Sequence, residues 1–111
     1  MMFQPINQEI SPFDLPKDVE TVVDLLLKDL SLRDRVVMGN LSEDELGPVY
    51  AEMVGTIRKE FQLYRGNFEL LASCRSYLNE LNDPYADPAM VIIRELWKKA
   101  KQTHRLRLVR K

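Results

Sequence analysis

Residues that carry covalent or metal-assisted chemistry are scarce in this sequence. Its 111 residues include one cysteine, Cys74, and one histidine, His104. One cysteine can form no disulfide within the chain and no thiolate cluster for zinc, so Cys74 is expected to act as a small buried hydrophobic residue. His104 lies among cations, which disfavour its protonated form,. Because motifs such as HExxH, GxSxG and a glycine-rich phosphate loop are missing as well, we expect no enzymatic activity, no cofactor and no metal,.

Long apolar runs are missing too. No stretch approaches the roughly 20 apolar residues that a membrane-crossing helix needs,. The opening residues, MMFQPINQEISPF, lack the basic and then apolar order of a secretory signal,. These absences predict a cytoplasmic location and no membrane partner. The hydrophobic share of 45% and the charged share of 30% are typical of one globular domain with one core,.

The net charge of −1 conceals an uneven distribution. Residues 98–111 hold seven of the 16 lysines and arginines and no acid, whereas all 17 acids lie in the preceding 97 residues. Such a segment can dock on the acidic body of its own chain or of a second copy. It can also bind phosphate backbones without sequence preference. Its basic residues are Lys98, Lys99, Lys101, Arg105, Arg107, Arg110 and Lys111.

The segments after the first fifteen residues predict two helices. The stretch DVETVVDLLLKDL opens with acids, where the helix dipole favours them,. Its apolar residues, which recur every three or four positions, are Val19, Val22, Val23, Leu26, Leu27 and Leu30,. Ser31 is the expected N-cap of a shorter helix, and a left-handed residue at Gly39 or Asn40 is expected to stop it,.

A longer helix with an interruption is predicted next. Ser42 and Glu45 have the spacing of a capping box,. Pro48 lacks a backbone donor, so we expect a kink or a restart near Gly47,. The apolar stripe beyond it is expected to form the central helix of the domain and to end at Gly66. The members of this stripe are Val49, Tyr50, Met53, Val54, Ile57, Phe61 and Tyr64.

Two further helices are predicted from their capping residues. Asn67 is an expected N-cap, and Asp87 followed by Pro88 is a strong start signal,. The expected inward residues of the first are Leu70, Leu71, Cys74, Tyr77, Leu78 and Leu81. Those of the second are Val91, Ile92, Leu96, Trp97 and Ala100.

Together these segments predict an all-α fold. Four main helices plus short helices are expected in an orthogonal or bundle-like arrangement over residues 16–100. An extended N-terminal arm over residues 1–15 precedes them, and a basic C-terminal tail over residues 101–111 follows. The tail alternates like a strand and also continues a helical face, so both forms stay open. The apolar residues of the arm, which are expected to cover part of the domain, are Phe3, Ile6, Ile10 and Phe13.

The stretch GTIRKEFQLYRGN holds the polar residues nearest to the predicted core. A glycine inside a helix, Gly55, predicts the close approach of another backbone or ring,. Arg58 borders the apolar stripe, where its guanidinium needs a carboxylate. Glu60, Asp83 and Asp87 are the candidates for that carboxylate. We expect a structural clasp here, with an anion-binding arginine as the alternative.

Two segments, VGTIRKEFQLYRGNFELLASC and DPYADPAMVIIRELWKKA, resemble a family of short, all-helical, mostly bacterial proteins classed as a domain of unknown function. The resemblance covers roughly residues 15 to 100 and implies a helical fold, without any activity or ligand. The matching positions in the first segment are Gly55, Ile57, Arg58, Glu60, Phe61, Tyr64, Gly66, Asn67, Leu70 and Leu71. Those in the second are Asp83, Pro84, Asp87, Ile92, Ile93, Leu96 and Trp97.

These features favour a protein-interaction or self-association module, and a homodimer is one form that such self-association would take. Apolar residues of the arm, and Leu106, Leu108 and Val109 of the tail, are candidate contacts,. The first alternative is nonspecific nucleic-acid binding by the basic tail, and the second is small-ligand or anion binding by Arg58. A helix-turn-helix in SLRDRVVMGNLSEDEL is disfavoured, because acids at the start of its second helix would repel phosphates,.

Overall fold

A computed structural model of the chain describes residues 15–63, 66–81 and 86–103. The regular structure of these residues is helical, and no strand occurs among them, which confirms the predicted all-α class. A short 3-10 helix, Glu43–Glu45, precedes the third α-helix. The α-helices are α1 (Val19–Asp29), α2 (Leu32–Gly39), α3 (Leu46–Glu60), α4 (Phe68–Glu80) and α5 (Pro88–Thr103). Within the described ranges, no helix combines the length and the apolar character needed to cross a membrane.

Helix α5 occupies the centre of the domain, because it packs against α1, α2, α3 and α4. Three consecutive side chains, those of Val91, Ile92 and Ile93, are buried, so this part of α5 is surrounded by protein. The prediction that the third helix would be central is wrong. Its buried residues form one stripe, which can pack on one side only. The buried residues of α3 are Leu46, Val49, Met53 and Ile57.

The first two helices begin at side-chain caps. Asp18 accepts a hydrogen bond from the backbone N–H of Thr21 at 2.7 Å, and this bond lowers the pKa of the Asp18 carboxyl,. Ser31 caps α2, as predicted, by accepting from the N–H of Asp34 at 3.1 Å. Helix α2 ends at Gly39, but the following Asn40 has φ −104°, so the predicted left-handed stop is wrong.

The start of α3 divides into two parts, as the proline predicted. The side chain of Glu45 accepts from the backbone N–H of Ser42 at 2.8 Å, which closes the predicted capping box. The box stabilises the 3-10 turn, and α3 itself begins at Leu46. Pro48 therefore lies in the first turn of α3, where its missing donor breaks no hydrogen bond.

Helix α3 ends earlier than predicted. It stops at Glu60, and Gln62 adopts a left-handed conformation with φ 50°. The N–H of Leu63 reaches the carbonyl of Arg58 at 3.1 Å, and the N–H of Gln62 reaches that of Lys59 at 3.3 Å. These two bonds make a Schellman motif with a glutamine where glycine is usual. Gly66, the predicted stop, has φ 110° and belongs to the turn that leads into α4.

Two other sequence predictions are wrong. A Cβ atom added to Gly55 would meet no atom within 4 Å, so this exposed glycine marks no close packing. Leu81, predicted to face inward, is 51% exposed. Several predictions lie outside the described residues, namely those on Tyr64, Asp83, the arm up to residue 14 and the tail from residue 104.

Candidate functional site

A polar cluster joins α3 to the start of α5. The hydroxyl of Tyr50 and the Nη2 of Arg58 both donate to the Oδ2 of Asp87. The other carboxylate oxygen of Asp87 accepts from the backbone N–H of Ala89 at 2.9 Å. Asp87 is thus the N-cap of α5, and Pro88 is its first residue, as the sequence predicted,. We call the interaction of Tyr50, Arg58 and Asp87 the clasp.

The surroundings of the clasp favour a structural role. The side chain of Asp87 is 21% exposed and that of Arg58 is 42% exposed, so the ion pair is partly shielded from water. Burial, together with the neighbouring Asp87 carboxylate, raises the pKa of Tyr50. The phenol therefore stays neutral at ordinary pH and keeps its donor proton. With both donors on one carboxylate, the cluster holds two helices together.

The structure brings together part of the predicted clasp set. Arg58 pairs with Asp87, while Glu60 is the partly buried last residue of α3 and Asp83 lies outside the described residues. Sequence reasoning placed Tyr50 in the apolar stripe and missed its hydroxyl. The spacing along the helix could have indicated this role, because Tyr50 precedes Arg58 by about two helical turns and so lies on the same face of α3,.

Of the seven basic residues within positions 98–111, the structure describes three, and all three belong to α5. The ammonium of Lys98 lies 3.0 Å from the carboxylate of Glu95, and Lys99 pairs with Asp24 of α1. Lys101 lies over the ring of Trp97, 5.3 Å from its centre. These side chains therefore contact their own domain. Arg105, Arg107, Arg110 and Lys111 lie outside the described residues.

Asn67 is a buried polar residue that connects three parts of the chain. It is 8% exposed, and its side-chain oxygen accepts from the N–H of Leu70 at 3.4 Å, as expected of a cap. Its Nδ2 also donates to the carbonyl of Pro16 at 3.0 Å and to that of Phe61 at 2.9 Å. The sequence predicted the cap but not these two bonds, because they join residues that only the folded chain brings together.

One face of α4 is left uncovered by the other described residues. The opposite face packs on α5 through the buried residues Leu70, Cys74 and Leu78. Phe68, the first residue of α4, is 76% exposed. The uncovered side, which we call the outer face of α4, is mostly exposed to solvent. Its residues are Phe68, Leu71, Ala72, Arg75, Ser76, Asn79 and Glu80.

The described residues offer few groups that could act as a nucleophile or bind a metal ion. Cys74 is fully buried, as the sequence predicted, and burial raises the pKa of its thiol to about 12. A protonated, inaccessible thiol is a poor nucleophile and a poor metal ligand. Within residues 15–63, 66–81 and 86–103, no group of three or more histidine, cysteine and acidic side chains is placed to hold a metal ion.

Comparisons with protein-family models, with curated proteins and with solved structures each returned no match. The resemblance to an all-helical family of unknown function therefore stays a prediction from the sequence.

Proposed function

We propose that this protein is an interaction module that binds another protein, or a second copy of itself, through the outer face of α4. The observation that carries the proposal is the 76% exposure of Phe68 at the start of that face. Burying a phenylalanine against a partner contributes about 1.5–3 kcal/mol. Aromatic anchors of this kind supply much of the binding energy at protein interfaces.

The neighbours of Phe68 suit a contact surface. Leu71 and Ala72 extend its apolar character along the helix, and the small Ser76 leaves room for a side chain of the partner. Arg75 adds a cation, and arginine is enriched at protein interfaces,. Because Leu70 and Cys74 already pack inward, a partner can use the outer face without disturbing the core.

The two alternative functions gain less support. Nonspecific nucleic-acid binding would need free lysines, but Lys98, Lys99 and Lys101 contact residues of their own domain. Anion binding by Arg58 would compete with its ion pair to Asp87. The proposed module is cytoplasmic and has no catalytic activity, and its arm and basic tail are further candidate contacts.

Self-association through the outer face can be tested by sedimentation velocity over a range of concentrations. The informative variant is Phe68→Glu, because an acid at the first position of a helix agrees with the helix dipole and should preserve folding,. The matched control is Leu32→Glu. Leu32 is also the first residue of its helix, follows a capping serine and is 66% exposed.

We expect concentration-dependent association of the wild type, at least tenfold weaker in Phe68→Glu and unchanged in Leu32→Glu. If all three chains are monomeric, the same variants should be used as tagged baits in native lysate. A stoichiometric partner lost only in Phe68→Glu would support the proposal. Equal partner recovery with both variants, or none with any chain, would contradict it.

A further inference from the structure

We draw no further inference here: the strongest candidate, the polar groove between α1, α4 and α5 that Glu20, Tyr77, Lys98 and Lys99 line, carries nothing, because both lysines pair with acids of their own domain and nothing in the structure shows what would bind there.

Discussion

At the scale of single residues, Asn67 offers the sharpest test of the fold. Asn67→Asp retains an oxygen that can cap α4, but it replaces the amide donor with a second carboxylate oxygen that faces the carbonyls of Pro16 and Phe61. We expect a loss of about 2–4 kcal/mol in the free energy of unfolding, measured by urea denaturation, since two buried acceptors lose their donor. Asn79→Asp, at an exposed position in the last turn of the same helix, should lower the free energy of unfolding by less than about 1 kcal/mol, which is the cost of an acid near the negative end of the helix dipole,. Equal losses would contradict the role of Asn67.

Two glycines provide a second test, because replacing each by alanine is expected to change the free energy of unfolding in opposite directions. Gly55→Ala should raise the free energy of unfolding by about 0.5–1 kcal/mol, because the added Cβ meets nothing and alanine favours the helix,. Gly66→Ala should lower it by about 1–2 kcal/mol, because φ is 110° at that position,. Thermal melts of both variants beside the wild type would check the pair. Destabilisation by Gly55→Ala would restore the close packing predicted from the sequence.

A third residue-scale test concerns the pH dependence of the Asp18 cap. The hydrogen bond from the N–H of Thr21 lowers the pKa of the Asp18 carboxyl below its ordinary value of 3.8. The charged cap therefore stabilises the fold fully above pH 3.8, and this stabilisation is lost as the pH falls through the lowered pKa of the folded state,. The gap in unfolding free energy between wild type and Asp18→Ala should stay constant from about pH 7 to pH 5, near 1 kcal/mol, and shrink below about pH 4. Urea titrations at several pH values measure it. A gap unchanged at about pH 3 would exclude a charged cap.

At the scale of elements, the clasp is expected to join α3 to α5. Arg58→Ala should lower the free energy of unfolding by about 0.5–1.5 kcal/mol, a modest loss because the guanidinium is partly exposed,. Arg75→Ala, on the outer face of α4, is the matched control and should cost less than about 0.5 kcal/mol,. Chemical denaturation of both variants measures the difference. Similar losses would show that the contact between Arg58 and Asp87 does not stabilise the fold.

The start of a helix was easier to predict from this sequence than its end. Ser31, Asn67 and Asp87 cap their helices through their own side chains, so the signal is local,. The end of α3 depends on Gln62 in a left-handed conformation that disfavours most side chains other than glycine,. Glycine is the usual residue at such a position, so the sequence prediction placed the end of α3 at Gly66 instead.

In the candidate site, too, the local features could be predicted from the sequence, whereas the contacts between distant segments could not. The need of Arg58 for a carboxylate was evident from its position beside apolar residues, but three acids were equally plausible along the chain. The position of Asp87 in front of α5 makes it the partner, with Tyr50 beside it. The exposure of Phe68 could not be predicted either, because it depends on which sides of α4 the other helices cover.

At the scale of the whole molecule, the central position of α5 predicts that the domain unfolds as one cooperative unit,. Leu70, Cys74 and Leu78 bind α4 to the core, while Asn67 and Ser73 connect it to the chain before and within α1. Release of α4 would therefore expose the buried side of α5 and break both connections. Such a helix should not detach before the rest of the domain unfolds.

Labelling of Cys74 by a thiol reagent tests this cooperativity. The thiol is fully buried and its pKa is raised to about 12, so it should react only in molecules that have opened,. We expect the opening free energy from the labelling rate to match that of global unfolding within about 1 kcal/mol, with the same dependence on urea. Ser76→Cys, exposed on the same helix, should react at once and serves as the control. A labelling rate at Cys74 that is independent of urea would instead mean that α4 opens locally, because local opening exposes little new surface.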